Sequence, residues 1–229
     1  MRNKLFFVVV TALILAAAAS PASAQATNPV TETMYILPKR GMNEQLENAI
    51  KAHNAKYHPE GPYVAGLRSV DYGAKSGWYV WLMGPTTYAS IDSRPDKGAH
   101  DEDWNKTVDP LIEEYGEPKL WELDANLSFG REILTKSGHY DVWAIDVKRG
   151  EMERFNELTG KVKKAYESMG DRAFVVYRSM VHTPGDADVA YLTSYTSLAD
   201  WAADWKVKEA YEKLNGAGSW AKMMTTWNE

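Results

Sequence analysis

The chain has 229 residues, no cysteine, 26 Lys and Arg against 31 Asp and Glu, and a formal net charge of −5. Without thiols it can hold no disulfide, cysteine zinc site or iron–sulfur cluster and can do no thiol chemistry. Its acidic balance excludes nucleic acid as an expected partner.

The chain opens on MRNKLFFVVVTALILAAAASPASA, in which Arg2 and Lys4 precede an apolar run from Leu5 to Ala19 and then Ala22-Ser23-Ala24. That is the pattern of a secretory leader cut after Ala24, since the run falls short of the ~20 residues that cross a bilayer. A periplasmic or secreted location is expected. No second long apolar segment follows, so no membrane association is expected after cleavage.

From Thr31, TETMYILP reads as a strand ended by Pro38, with Lys39-Arg40-Gly41 as a turn. Leu46, Ala49, Ile50, His53 and Tyr57 then recur at spacings of three and four, which predicts a helix from Asn43 to the break at Pro59 and Gly61. YVAGLRSVDY and WYVWLM form a hairpin across GAKSG. A helical stretch near Thr86 gives way to DSRPDKGAHDED, read as a solvated loop, and resumes from Asp103 to Tyr115 with a distortion at Pro110. KLWELDANLSF reads as a closing strand and GREILTKSG as a linker.

The second half repeats that order. YDVWAIDV, the turn Lys148-Arg149-Gly150 and a helix carrying Met152, Phe155, Leu158, Val162, Ala165, Tyr166 and Met169 end at Gly170. AFVVYRSMVH and VAYLTSYT make a second hairpin across TPGDAD. Ser197 caps a helix with Leu198, Trp201, Trp205, Tyr211 and Leu214, and WAKMMTTW reads as a final strand. The pair Trp201 and Trp205, four apart, reads as core.

Lys39-Arg40-Gly41 and Lys148-Arg149-Gly150 stand 109 residues apart, as do Tyr57 and Tyr166. At a spacing of 110, Arg68-Ser69 meets Arg178-Ser179 and Trp81-Leu82 meets Tyr191-Leu192. Identities at corresponding points of one element order predict a duplication. The expected organisation is a leader over 1–24, a first repeat over 25–129, a linker over 130–139 and a second repeat over 140–229. Each repeat reads as a ferredoxin-like βαββαβ unit, with helices on one face of an antiparallel sheet and the other face bare.

On these strand, turn and helix starts, the Arg-Ser strands and the aromatic strands after them, the chain resembles the dimeric α+β barrel superfamily. It looks most like the antibiotic-biosynthesis-monooxygenase-like and NIPSNAP-like branches in tandem form. The resemblance implies an α+β fold in which two ferredoxin-like repeats pack sheet to sheet as an intrachain barrel, around a lumen that commonly holds a small molecule. Members of the superfamily include cofactor-free monooxygenases, isomerases and haem-binding or haem-degrading enzymes.

The search for chemistry starts with the histidines at 53, 58, 100, 139 and 182. His53 reads as a core or seam residue, and His58 lies about 140° further round a helix, so the two are expected not to share a metal. No metal site is expected. His182 shares a strand phase with Arg178 and is a candidate polar group at a barrel mouth. Arg68 and Arg178, both mid-strand, each need water, a carboxylate such as Asp71 or Asp146, or an anionic ligand.

Phe6 and Phe7 lie in the leader, leaving three Phe against nine Trp and thirteen Tyr, rings with a polar tip that suit a pocket or a subunit seam. Trp81 and Tyr191 are candidates to line the lumen. The candidate ligand-binding set is therefore Arg68, Trp81, Arg178, His182 and Tyr191.

Three functions stay open: an exported barrel binding a small apolar or aromatic molecule, a cofactor-independent monooxygenase or isomerase-like enzyme, and a non-catalytic interaction module. No cofactor is predicted, haem being left open. The expected assembly is a monomer or a homodimer.

Overall fold

The computed structural model describes residues 28–95, 98–183 and 185–228. The expected leader and cleavage site lie outside them. Among the described residues, no helix is long and apolar enough to cross a membrane.

The first strand, β1 (Val30–Pro38), leads through the Lys-Arg-Gly turn into α1 (Asn43–Tyr57). Gly41 sits there at φ +79°, and Gly150 at φ +87° in the second such turn, a region where a side chain is strained. The hairpin follows as β2 (Ala65–Ser69) and β3 (Tyr79–Thr86). Thr87 caps the short α2 (Tyr88–Asp92) by accepting from the Ser90 amide.

The helix expected from Asp103 to Tyr115 is instead α3 (Gly98–Thr107), a 3-10 turn over Asp109–Leu111, and a strand, β4 (Ile112–Tyr115). Pro110 ends the helix rather than bending it, because its ring removes a donor and blocks the preceding turn. β5 (Lys119–Leu123) closes the first half, and the expected linker carries α4 (Arg131–Leu134), whose Leu134 is buried.

β6 (His139–Ile145), α5 (Met152–Met169), β7 (Val175–Ser179) and β8 (Val189–Tyr195) follow in the expected order, and α5 stops at Gly170 with φ +79°. Ser197 caps α6 (Leu198–Trp201) by accepting from the Asp200 amide. That helix breaks after one turn, and the chain resumes as α7 (Val207–Asn215) behind Lys206 in a left-handed conformation. Trp201 and Trp205 therefore share no helix, and Trp201 is 51 % exposed rather than core.

The expected final strand is a helix, α8 (Ser219–Asn228). Trp220, Met223, Met224 and Trp227 fall at i, i+3, i+4 and i+7, a helical stripe. Three of them pack: Met223 is buried beside Tyr211 and Ala165, with Trp220 and Trp227 against that cluster.

The strands form one eight-stranded sheet in the order β2-β3-β1-β5-β7-β8-β6, with β4 also on β1, and every pairing is antiparallel. This corrects the picture of two separate sheets stacked on each other: the halves meet edge to edge where β5 pairs with β7. The sheet curls.

Residues opposite each other in register share a face. That places Arg68, Val80, Leu82, Thr33, Trp121, Tyr177, Leu192 and Tyr140 on one side. The guanidinium carbon of Arg68 on β2 lies 5.8 Å from the ring centre of Tyr140 on β6, so the two end strands approach across this side.

The helices cover the outer face. Leu46 and Ile50 of α1 are fully buried with Ile36, Tyr79, Trp81, Met83, Val108 and Ile112. Removing an aliphatic side chain of that size from water contributes about 1.5–3 kcal/mol. The inner face is filled near the seam, where Leu123, Leu134, Ala173 and Val175 form a cluster with Tyr140, Tyr177 and Leu192 against it.

Candidate metal centre

The structure does not bring the five site candidates together. Trp81 and Tyr191 face the helices rather than the inside of the curl and are buried in two different clusters. Arg178 also faces the helices, where Nε donates to Asp124 Oδ2 at 2.8 Å and Nη2 to Asn156 Oδ1 at 2.7 Å. Its partner is thus neither Asp71 nor Asp146. His182 lies beyond the end of β7, its side chain 66 % exposed, with Nδ1 2.6 Å from Asp188 Oδ1. Of the five, only Arg68 is on the inner face, at the sheet edge beside a groove of about 500 Å³ between α1 and β2.

A different constellation does converge. His53 lies one turn before the end of α1, His58 caps that helix, and His100 lies in the first turn of α3, which packs against it. His53 Nε2 is 3.2 Å from His100 Nε2, and His58 Nε2 is 3.1 Å from the same atom. Their ligating atoms all lie within 4.8 Å of one another. Two imidazoles bound to one ion at ~2.0–2.1 Å with tetrahedral angles hold their nitrogens roughly 3.3 Å apart, so the two shorter spacings suit a shared ion.

The expected separation of His53 and His58 around one helix does not hold. It assumed one continuous helix, whereas His58 leaves helical geometry at φ −132°, ψ 38°. A residue before proline is pushed out of the helical region, and Pro59 follows. DSRPDKGAHDED is likewise not simply a loop, since α3 begins at Gly98 and supplies both His100 and Asp103.

Each ring is oriented from behind. His53 Nδ1 donates to Asp103 Oδ2 at 2.8 Å, His58 Nδ1 to the Tyr63 carbonyl at 2.8 Å, and His100 Nδ1 to Asp101 Oδ1 at 2.9 Å. Carboxylate and carbonyl oxygens can only accept, so all three protons sit on Nδ1 and all three Nε2 lone pairs face inward. Ligating histidines usually have such an outer partner, which fixes the tautomer and raises basicity.

Burial favours the neutral rings. His53 and His58 are 1 % and 8 % exposed, and desolvation pushes both below the usual histidine range. The hydrogen bond from His53 holds Asp103 below the ordinary carboxylate range, with Lys56 Nζ 3.3 Å from its other oxygen. A single proton could lie along only one of the two Nε2···Nε2 lines. A cation at their convergence takes all three lone pairs.

Aromatic rings wall the cluster. Trp104 stands edge-on to His53 with centroids 5.0 Å apart, and Trp81 edge-on to His58 at 5.5 Å. The Tyr57 ring lies 4.9 Å from that of His53.

No family model and no curated protein matches the sequence. Solved structures match over most of the chain. A candidate monooxygenase from Lactobacillus acidophilus aligns at TM-score 0.52 and 12 % identity, covering 82 % of this chain and 88 % of its own. One from Fusobacterium nucleatum aligns at 0.54 and 11 %, covering 82 % and 85 %. A candidate chlorite dismutase aligns at 0.51 and 13 %, covering 81 % and 86 %. At these identities the likeness shows the fold, the α+β barrel that the sequence resembles, and nothing of the chemistry.

Proposed function

We propose that the protein binds a divalent transition-metal ion of the zinc class at His53, His58 and His100. The observation that carries this is the convergence of three Nε2 atoms whose rings are each held from behind by an oxygen acceptor at Nδ1. Three neutral imidazoles suit zinc, copper, nickel or iron, and give calcium or magnesium no oxygen ligand.

The test is a titration of chelator-treated protein with zinc or cobalt followed by calorimetry and elemental analysis. One equivalent should bind tightly, and His53→Ala should abolish it. Stoichiometric binding that survives this substitution would refute the reading.

The wider reading is an exported, duplicated α+β barrel, periplasmic or secreted after loss of residues 1–24. The recurrence of the order β2-β3-β1 as β7-β8-β6 supports the tandem, NIPSNAP-like organisation. Mass spectrometry of the exported chain tests the cleavage point and the monomer or homodimer state together.

A second function, a monooxygenase-like or isomerase-like enzyme working on the inner face, is supported by the fold likeness to candidate monooxygenases and an anthrone oxidase-like protein. It is favoured over inert binding of an apolar molecule there. Haemin is the control titrant: a Soret band lost in His182→Ala would move the function to haem.

A further inference from the structure

We infer that an ion at the three-histidine centre keeps a coordination position for exchangeable water or a small monoanion, making it a Lewis-acid centre and not a structural clamp. This rests on the metal reading above. It goes beyond it by stating what the fourth ligand is and from which side it comes.

Among the described residues the centre has three ligating side chains, whereas structural zinc sites use four protein ligands and catalytic ones three plus water. Each nearby group that could serve as a fourth is already engaged. Asp103 bonds His53 and Lys56, and Asp101 bonds His100. The Tyr57 hydroxyl donates to the Ala99 carbonyl at 2.9 Å, and that of Tyr63 to the Ser90 carbonyl at 2.9 Å. Asn54 Oδ1 accepts from the Trp81 indole at 3.2 Å.

His53 and His58 lie behind Trp104 and Trp81, whereas the His100 side chain is 35 % exposed, which makes the His100 side the proposed approach to the convergence point.

Three neutral imidazoles would cancel none of an ion's charge, and the carboxylates behind them stand one ring further out, Asp103 also sharing Lys56. In a wall of indole and phenol rings the uncancelled charge would attract a monoanion. Hydroxide, azide, cyanate and short carboxylates are the ligand class.

Cobalt(II) loaded into the full chain reports on this through its visible bands. Azide should shift those bands in a saturable, single-site titration. His100→Gly should abolish cobalt binding, as His53→Ala does that of zinc, and free imidazole, which can enter only from an accessible side, should restore it. Circular dichroism of that variant shows whether it folds, and the azide titration of the wild-type protein stands independently of it.

If the wild-type chain takes up no cobalt, the metal reading itself falls, and this inference with it. If cobalt binds but azide leaves the spectrum unmoved, the open position is refuted and a closed metal site remains. Failure of imidazole to rescue a folded His100→Gly would refute the access side.

Discussion

The two halves of the sheet place matched residues in opposite environments. In the first, Trp81 stands edge-on to His58 and donates to Asn54, and the layer between sheet and helices includes the buried imidazoles of His53 and His58, met by His100 from the rim. In the second, Tyr191, at the matched position, sits among Phe155, Phe174 and Trp227, its hydroxyl 2.5 Å from Thr159 Oγ1. Burial of that ring raises its hydroxyl pKa beyond the ordinary tyrosine range.

Both layers have an apolar core, but the first also places buried polar rings where apolar side chains would stabilise more, an arrangement that makes physical sense when a cation completes it.

The sharpest way to break this comparison is to empty the layer of the second half. Phe155→Ala should cost about 3–5 kcal/mol in chemical denaturation while leaving cobalt affinity per folded molecule unchanged. A coupled loss of metal binding would mean that the halves are not functionally distinct.

Zinc should act in the converse sense. At a hundredfold excess over its Kd it should stabilise the wild-type chain by about 2.7 kcal/mol, and His58→Ala should erase the effect. Asp103→Asn should weaken zinc binding by roughly 10–100-fold by calorimetry while preserving one-to-one stoichiometry, since it touches the ion only through His53.

The smallest effect is expected at Arg172 and Asp200, whose ion pair at 2.8 Å packs under Trp205. Hydrogen bonding from Arg172 holds Asp200 below the usual carboxylate range. A lowered folded pKa contributes stability that is complete above the unfolded value near about 4 and is lost as pH falls through the folded one. Asp200→Asn should therefore be slightly less stable than wild type at pH 7, the gap closing in acid.

The frame of the molecule was legible where local chemistry was strong. The two Lys-Arg-Gly turns, the hairpins, α5 with its Gly170 stop and the Ser197 cap are all short-range devices. α8 was missed because its apolar residues were read in twos although they fall in threes and fours. The break before α7 hangs on Lys206 in a left-handed conformation, and no residue type at that point signals it.

The three-histidine cluster is half legible in the sequence. Pro59 ends α1 and by the same sterics removes His58 from the helix, which already undoes the angular argument against pairing. His100, with acids at 101 and 103, carried a signal of its own in the sequence. Its approach to α1 depends on how α3 docks, a tertiary fact that no spacing along the chain contains.

The two halves of the sheet are stitched where β5 faces β7, Trp121 with Ser179, Glu122 with Arg178 and Leu123 with Tyr177, and the join runs on past both strand ends through the Met180 amide to the Leu120 carbonyl, the Asp124 amide to the Val176 carbonyl and the Phe129–Phe174 bridge. Parting it would bare Leu123, Val175 and Val176 together. Its amide protons should therefore be among the last to exchange, with the edge strands β2 and β6 surrendering theirs first.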